Sequence, residues 1–136
     1  MSQTTLDSLG KLILRLAVGI LILLHGIYKL NHGISGIEGM LAAKGWPAVL
    51  AWGVYAGEIL GPLLVILGIY ARLGGALIAG NMVVAILLAH MGQLGLLNDM
   101  GGWQLELQGM FLAGGLAIAM IGAGRFSLAG GRGRFN

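Results

Sequence analysis

The chain has 136 residues, 57% of them hydrophobic and only 10% charged, with a formal net charge of +3. Soluble domains carry roughly 25% charged residues, so a water-facing surface could hardly be assembled from this composition, and a bilayer is the expected solvent. The eight Lys and Arg residues sit at the ends of apolar runs, which argues against nucleic-acid binding, and the lack of cysteine excludes thiol–disulfide exchange and thiolate ligation by the chain itself.

Four apolar stretches reach the roughly 20 residues that span hydrocarbon as a helix, over about 9–29, 47–69, 73–97 and 103–123. They lack period-two alternation, and a chain of this size has too few strands for a closed barrel. The expected fold is therefore an all-α membrane protein, a four-transmembrane-helix bundle forming a single domain over 1–136. In the first stretch Lys11 and Arg15 precede an apolar core as in a signal peptide, but His25-Gly26-Ile27-Tyr28-Lys29 offers no small-x-small cleavage site, so retention as a span is expected. His25 and Lys29 are four apart and share a face; Arg15 returns to within about 40° of it at the other end of the helix. Snorkelling toward the two interfaces is the plain expectation for Lys29 and Arg15. His25 has the side-chain type that can carry protons or bind a metal.

The segment 30–46 is too polar to cross. Ile34, Ile37 and Leu41 recur in it at helical spacing, which predicts a short interfacial helix between the first two spans. Trp46-Pro47 then reads as a membrane-edge anchor with proline at the first helical position. In the second span Glu58 lies about eleven residues in, near the midplane, where an unpaired carboxylate is costly and must face the bundle. Pro62 has no N–H to give the Glu58 carbonyl, which predicts a polar notch there. Gly53, Gly57 and Gly61 form a smooth strip expected to seat a neighbouring helix, as do Gly109, Ala113 and Ala117 on the fourth span.

In the third span Asn81 and His90 are nine apart, about 180° around an ideal helix; His90 is assigned to the common centre and Asn81 to packing or hydrogen bonding. In the fourth, Glu106 and Gln108 are about 160° apart, and Glu106 is given the central position. The basic residues set the orientation. Lys11, Arg15, Arg72, Arg125, Arg132 and Arg134 gather on the side of both termini, which should be cytoplasmic in the inner membrane of a prokaryote. Tyr28, Trp46, Trp52 and Trp103 gather on the outer side.

His25, Lys29, Glu58, His90 and Glu106 thus converge in the outer half of the bundle as a candidate ligand site or proton relay, with Arg15 and Arg72 as supporting charges. A metal could be drawn onto His25, Glu58 and His90, and seven methionines invite copper. No His-x3-His or comparable ligand spacing exists, however, and methionine is common filler, so no resident metal is expected. Phosphate-loop, nucleophile-elbow and dinucleotide signatures are absent.

Arg15-Leu16-Ala17-x-Gly19, His25-Gly26-x-x-Lys29-Leu30, Gly45-x-Pro47, Glu58 with Gly61, Gly68-x3-Arg72 and Gly122-x-Gly124-Arg125-x-Ser127-Leu128 together resemble the DoxX family of small bacterial and archaeal membrane proteins. The likeness covers nearly the whole chain. It implies a four-helix fold and an association with respiratory or quinone-linked redox systems, and it marks Arg15, His25, Lys29, Glu58 and Arg72. The family often follows the last motif with Asp, where this chain has Ala129.

The expected function is a quinone-binding or electron-transfer accessory subunit of an oxidoreductase, with quinone as the bound group and the redox centre on a partner subunit. The alternatives are a small transport protein whose polar notch passes a proton or solute, and a structural membrane subunit. Membrane lipid is an expected partner, and the glycine strips admit a homo-oligomer.

Overall fold

A computed structural model describes residues 1–136. The chain is all-helical and contains no strand, only an isolated bridge between Leu97 and Trp103. Three helices are long and apolar enough to cross a membrane: α1 (Gln3–His32), α3 (Ala48–Leu67) and α4 (Ala71–Gln93). A short helix, α2 (Ser35–Ala43), stands between α1 and α3, and an apolar helix of 16 residues, α5 (Glu106–Ile121), follows α4.

Capping explains the differences from the sequence expectation. The Ser2 side chain accepts the Thr5 N–H, so α1 begins well before residue 9, and it runs on until Gly33 at φ 80° releases the chain. The third and fourth apolar runs are cut shorter than 73–97 and 103–123. Between them Asn98 Oδ1 accepts the N–H groups of Met100 and Gly102, and the Trp103 indole donates to the Leu94 carbonyl, stabilising a turn where Gly92, Gly95 and Gly101 weaken helix. The predicted short helix is present as α2. It rests on the start of α3 and the end of α4, with Ile34, Leu41 and Ala51 buried together.

α1, α3, α4 and α5 pack in a closed cycle, each against two neighbours, around Val18, Ile22, Val65, Ile78 and Ile118. Paired glycines make two of the close crossings. A Cβ on Gly74 would stand 2.7 Å from the Gly61 carbonyl of α3, and one on Gly75 would stand 2.6 Å from the Gly115 carbonyl of α5. In turn Gly114 faces Val18 of α1. The strips expected to seat helices serve differently: Gly61 does meet α4, but Gly53 has open space around it, Gly109 meets Trp103, and Ala113 is exposed. Small residues permit close backbone approach only where a neighbour lies, and spacing by four does not say where that is.

Arg15 does not snorkel. It is 1% exposed, and its guanidinium donates to the carbonyls of Val65 (2.8 Å), Ile66 (3.1 Å), Ala123 (2.8 Å) and Phe126 (2.9 Å). The first two are unpaired acceptors of the last turn of α3, and the other two follow α5, so one cation satisfies two chain ends. Gly68 at φ 72° leaves room for that guanidinium, and Leu128 N–H donates to the Leu67 carbonyl beside it. Arg72 acts similarly at the end of α5, donating to the Met120 carbonyl at 2.6 Å. Both arginines are thus helix-end clamps at the end of the bundle away from Glu58.

Candidate functional site

The polar site begins with Pro62. Lacking an N–H, it cannot close an ordinary α turn on the Glu58 carbonyl, and the chain takes a π turn over Ala56–Leu60. The Glu58 carbonyl is directed at Gly26 of α1, where any Cβ would collide with it. The expected notch of free carbonyl and carboxyl is thus divided: the carbonyl seats α1, and the carboxylate alone faces the interior.

That carboxylate is 5% exposed, and Lys29 Nζ lies 2.6 and 2.8 Å from its two oxygens. Asn81 Nδ2 donates to Oε1 at 3.3 Å. The side chain therefore meets the requirement that a buried charge be paired and hydrogen-bonded. Lys29 does not reach for the interface; it turns inward, and Tyr55 Oη donates to its backbone carbonyl at 3.3 Å.

A second π turn, over Ile86–His90, absorbs an extra residue and brings His90 to the side of Asn81, which an ideal helix would have placed opposite. His90 Nδ1 lies 2.9 Å from Gln93 Oε1. An acceptor at that position favours a protonated Nδ1 in the neutral ring and leaves Nε2 for a ligand. Both π turns fall at this site.

Two cavities flank the ion pair, and both are bordered by Lys29, Glu58, Ala85 and His90. One, about 130 Å³, extends between α1 and α5 to His25, Gln108 and Phe111. The other, about 210 Å³, lies beneath α2 and is walled by Ile37, Met40, Leu41 and Leu88, with Asn81 at the polar end. His25 is edge-on to Phe111 at 5.9 Å between ring centres and borders the outer surface as well as the smaller cavity.

His25, Lys29, Glu58 and His90 are therefore brought together. Glu106 is not: it is exposed, with Oε1 3.4 Å from Asn98 Nδ2, and Gln108 occupies the cavity wall in its place. Arg15 and Arg72 lie outside the site. Asn81 and Gln108 were legible as polar residues at membrane depth, but the helical-wheel angle wrongly set Asn81 against His90. Phe111 carried no signal beyond its proximity to Gln108. No three His, Asp or Glu side chains form a metal-ligand cluster.

An ion pair with a buried carboxylate, packed among three apolar helices long enough to cross a membrane, marks a small helical membrane protein. The chain belongs to the DoxX family, whose model matches residues 10–91, the part that carries Arg15, His25, Lys29, Glu58, Arg72 and His90. It is 33% identical over 79 residues to "Putative oxidoreductase CatD" of Bacillus subtilis, and the match covers 58% of each chain. No solved structure matches.

Proposed function

We propose that this DoxX protein is a quinone-binding accessory subunit of a membrane oxidoreductase. The observation that carries the reading is the Lys29–Glu58 pair, its carboxylate buried among apolar helices, set between two cavities. A cavity of about 150 Å³ accommodates one benzene ring, so volumes of about 130 and 210 Å³ match a single quinone head group. The lining supplies what such a head needs: apolar walls from Ile22, Met82 and Leu88, and donors at one end from Lys29, Asn81, Gln108 and His25. The oxidoreductase name of the Bacillus relative is consistent with this reading.

A bound quinone would supply two-electron, two-proton redox chemistry. Lys29 is placed to donate to a ring oxygen while its contact with Glu58 fixes where its ammonium points. Glu58, the one buried carboxylate of the site, is placed to take part in moving a proton. His25, at the surface of the α1–α5 seam, and His90, oriented by Gln93, are the groups placed to exchange that proton. The chain holds no electron carrier of its own among its side chains, so the electron donor or acceptor belongs to a partner.

In the same reading the protein resides in the prokaryotic inner membrane with α1, α3, α4 and α5 all spanning it. The 16 residues of α5 extend about 24 Å, short of a hydrocarbon layer of about 30 Å, and apolar residues of the preceding turn, Leu96, Leu97 and Trp103, make up the difference. The excess of Arg at the clamp end supports cytoplasmic termini and an ion pair in the outer half.

Native mass spectrometry of gently solubilised protein, with extraction of its lipids, tests the proposal. A stoichiometric quinone that is lost in Glu58→Gln is expected. Quinone binding that survives both Glu58→Gln and His25→Ala would overturn the assignment of the site, and a preparation without quinone would overturn the function.

A further inference from the structure

Resting on the quinone reading, we propose that the lipid-facing groove between α1 and α5 is a dedicated seat for the apolar tail of the bound quinone, with His25 and Phe111 as the passage between tail seat and head site. The inner cavity shares a wall with the lipid-facing surface. Leu107 and Phe111 line it, and they also line two surface grooves of about 330 and 430 Å³ on the α1–α5 face. The upper groove shares His25 with the inner cavity; the lower one continues along Leu14, Ala17 and Leu21 of α1 and Met110, Ala113 and Ala117 of α5. Leu107 to Ala117 on α5 spans about 15 Å, half a hydrocarbon layer, and the polar groups all lie at one end of that path. This is the profile of one amphiphile whose ring sits at Lys29 and Glu58 and whose chain leaves past Phe111 into the membrane.

The opposite face has a groove as well, about 350 Å³ between α3 and α4, lined by Gly53 and Gly80. Leu50, Val54, Asn81 and Val84 border both this groove and the larger cavity, but the polar Asn81 amide, bonded to Glu58, stands in that wall where the apolar ring of Phe111 stands in the other. The tail is therefore assigned to the α1–α5 side.

The test uses the intact protein in lipid nanodiscs with two probes, a tail-free benzoquinone and the same ring bearing an isoprenoid tail. Ala113→Phe and Ala17→Phe fill the groove from exposed positions, and Gly80→Leu fills the opposite one. Because a tail enriches any quinone in the bilayer equally for all variants, the readout is each variant's affinity relative to the unaltered protein. Ala113→Phe and Ala17→Phe should weaken the tailed probe about fivefold and leave the tail-free probe within about twofold; Gly80→Leu should change neither. If the tail-free probe binds and the groove variants leave the tailed one unaffected, as when the groove holds only acyl chains of bulk lipid, the tail seat is overturned while the head site stands. Loss of the tail effect in Gly80→Leu alone also overturns it. If neither probe binds the unaltered protein, both proposals fall together.

Discussion

Lys29 Nζ stands 2.6 and 2.8 Å from the two oxygens of Glu58, joining α1 to α3 by a two-oxygen contact inside the bundle. In water such a pair contributes little, but among apolar helices at the proposed membrane depth either partner alone is a charge without a solvent. The pair is therefore a stability cost that the fold tolerates because both members are present.

Removing one member should cost more than removing both. Glu58→Met and Lys29→Met are each expected to lower stability by about 3 kcal/mol, whereas the double variant should come within about 1 kcal/mol of the unaltered protein. Quinone binding should be lost in all three. Reversible unfolding in mixed micelles measures the cycle; additive losses would mean that the pair is not coupled.

Arg15 makes the opposite case, a buried cation with no carboxylate partner. Its charge is compensated by four carbonyl dipoles from two chain segments. A lysine has a single ammonium on a flexible stem and cannot span both segments, so Arg15→Lys should cost about 2 kcal/mol and Arg15→Met more. Arg15→Lys that remains folded should still bind quinone with unchanged affinity, because the clamp lies at the other end of the bundle. A selective loss of binding without loss of stability would show that Arg15 serves the site.

The sequence made the depth of Glu58 and the shared face of His25 and Lys29 legible, because both follow from ordinary helical geometry. It did not show that Lys29 would pair with Glu58, since relative helix rotation is decided by packing between segments. The π turns erased the angular argument that separated Asn81 from His90: one inserted residue turns a helix face by about a quarter turn or more. The better signal for helix seating was the doublets Gly74-Gly75 and Gly114-Gly115. Neighbouring residues on a helix point about 100° apart, so a doublet lets one helix approach two partners at the same level. The strip of Gly53, Gly57 and Gly61 faced only one.

The close approach at Gly26 gives a further prediction. A Cβ there would meet the Glu58 backbone carbonyl, which has no flexible end to move away. Gly26→Ala should separate α1 from α3, break the Lys29–Glu58 contact and reduce stability by about 2 kcal/mol or more. Gly39→Ala and Gly10→Ala, which have open space and helical backbone, should be neutral or slightly stabilising. Thermal melts of the three variants side by side check this; a Gly26→Ala protein as stable as the controls would contradict the crossing.

For α5, the two polar candidates exchange roles relative to the helical-wheel expectation. Glu106 stands among Asn98 and Gly102 of the preceding turn, so Glu106→Gln should leave quinone affinity within about twofold. Gln108 borders the cavity, and Gln108→Leu, close in volume but without donors, should weaken binding about fivefold or more. Titration of both variants with one quinone decides between the two residues, and a larger effect at Glu106 would move the proton path to the 94–105 turn.

Orientation can be read with unusual directness, because the chain has no cysteine and an introduced thiol is the sole target for a maleimide. Met100, 93% exposed in the turn before α5, and Ser2, at the start of α1, lie at opposite ends in a four-span arrangement. Arginine clustering toward the termini predicts that Met100→Cys in intact cells reacts with a membrane-impermeant maleimide whereas Ser2→Cys reacts only after permeabilisation. Gly130→Cys, near the other terminus, should behave like Ser2→Cys if α5 crosses the membrane. Labelling of Gly130→Cys from outside together with protection of Ser2→Cys would mean that α5 does not cross and that its 16 residues pack against α4 without spanning. That outcome would also place Gln108 and Phe111 at a different depth from Glu58 and remove the proposed passage from the ion pair to the α1–α5 groove.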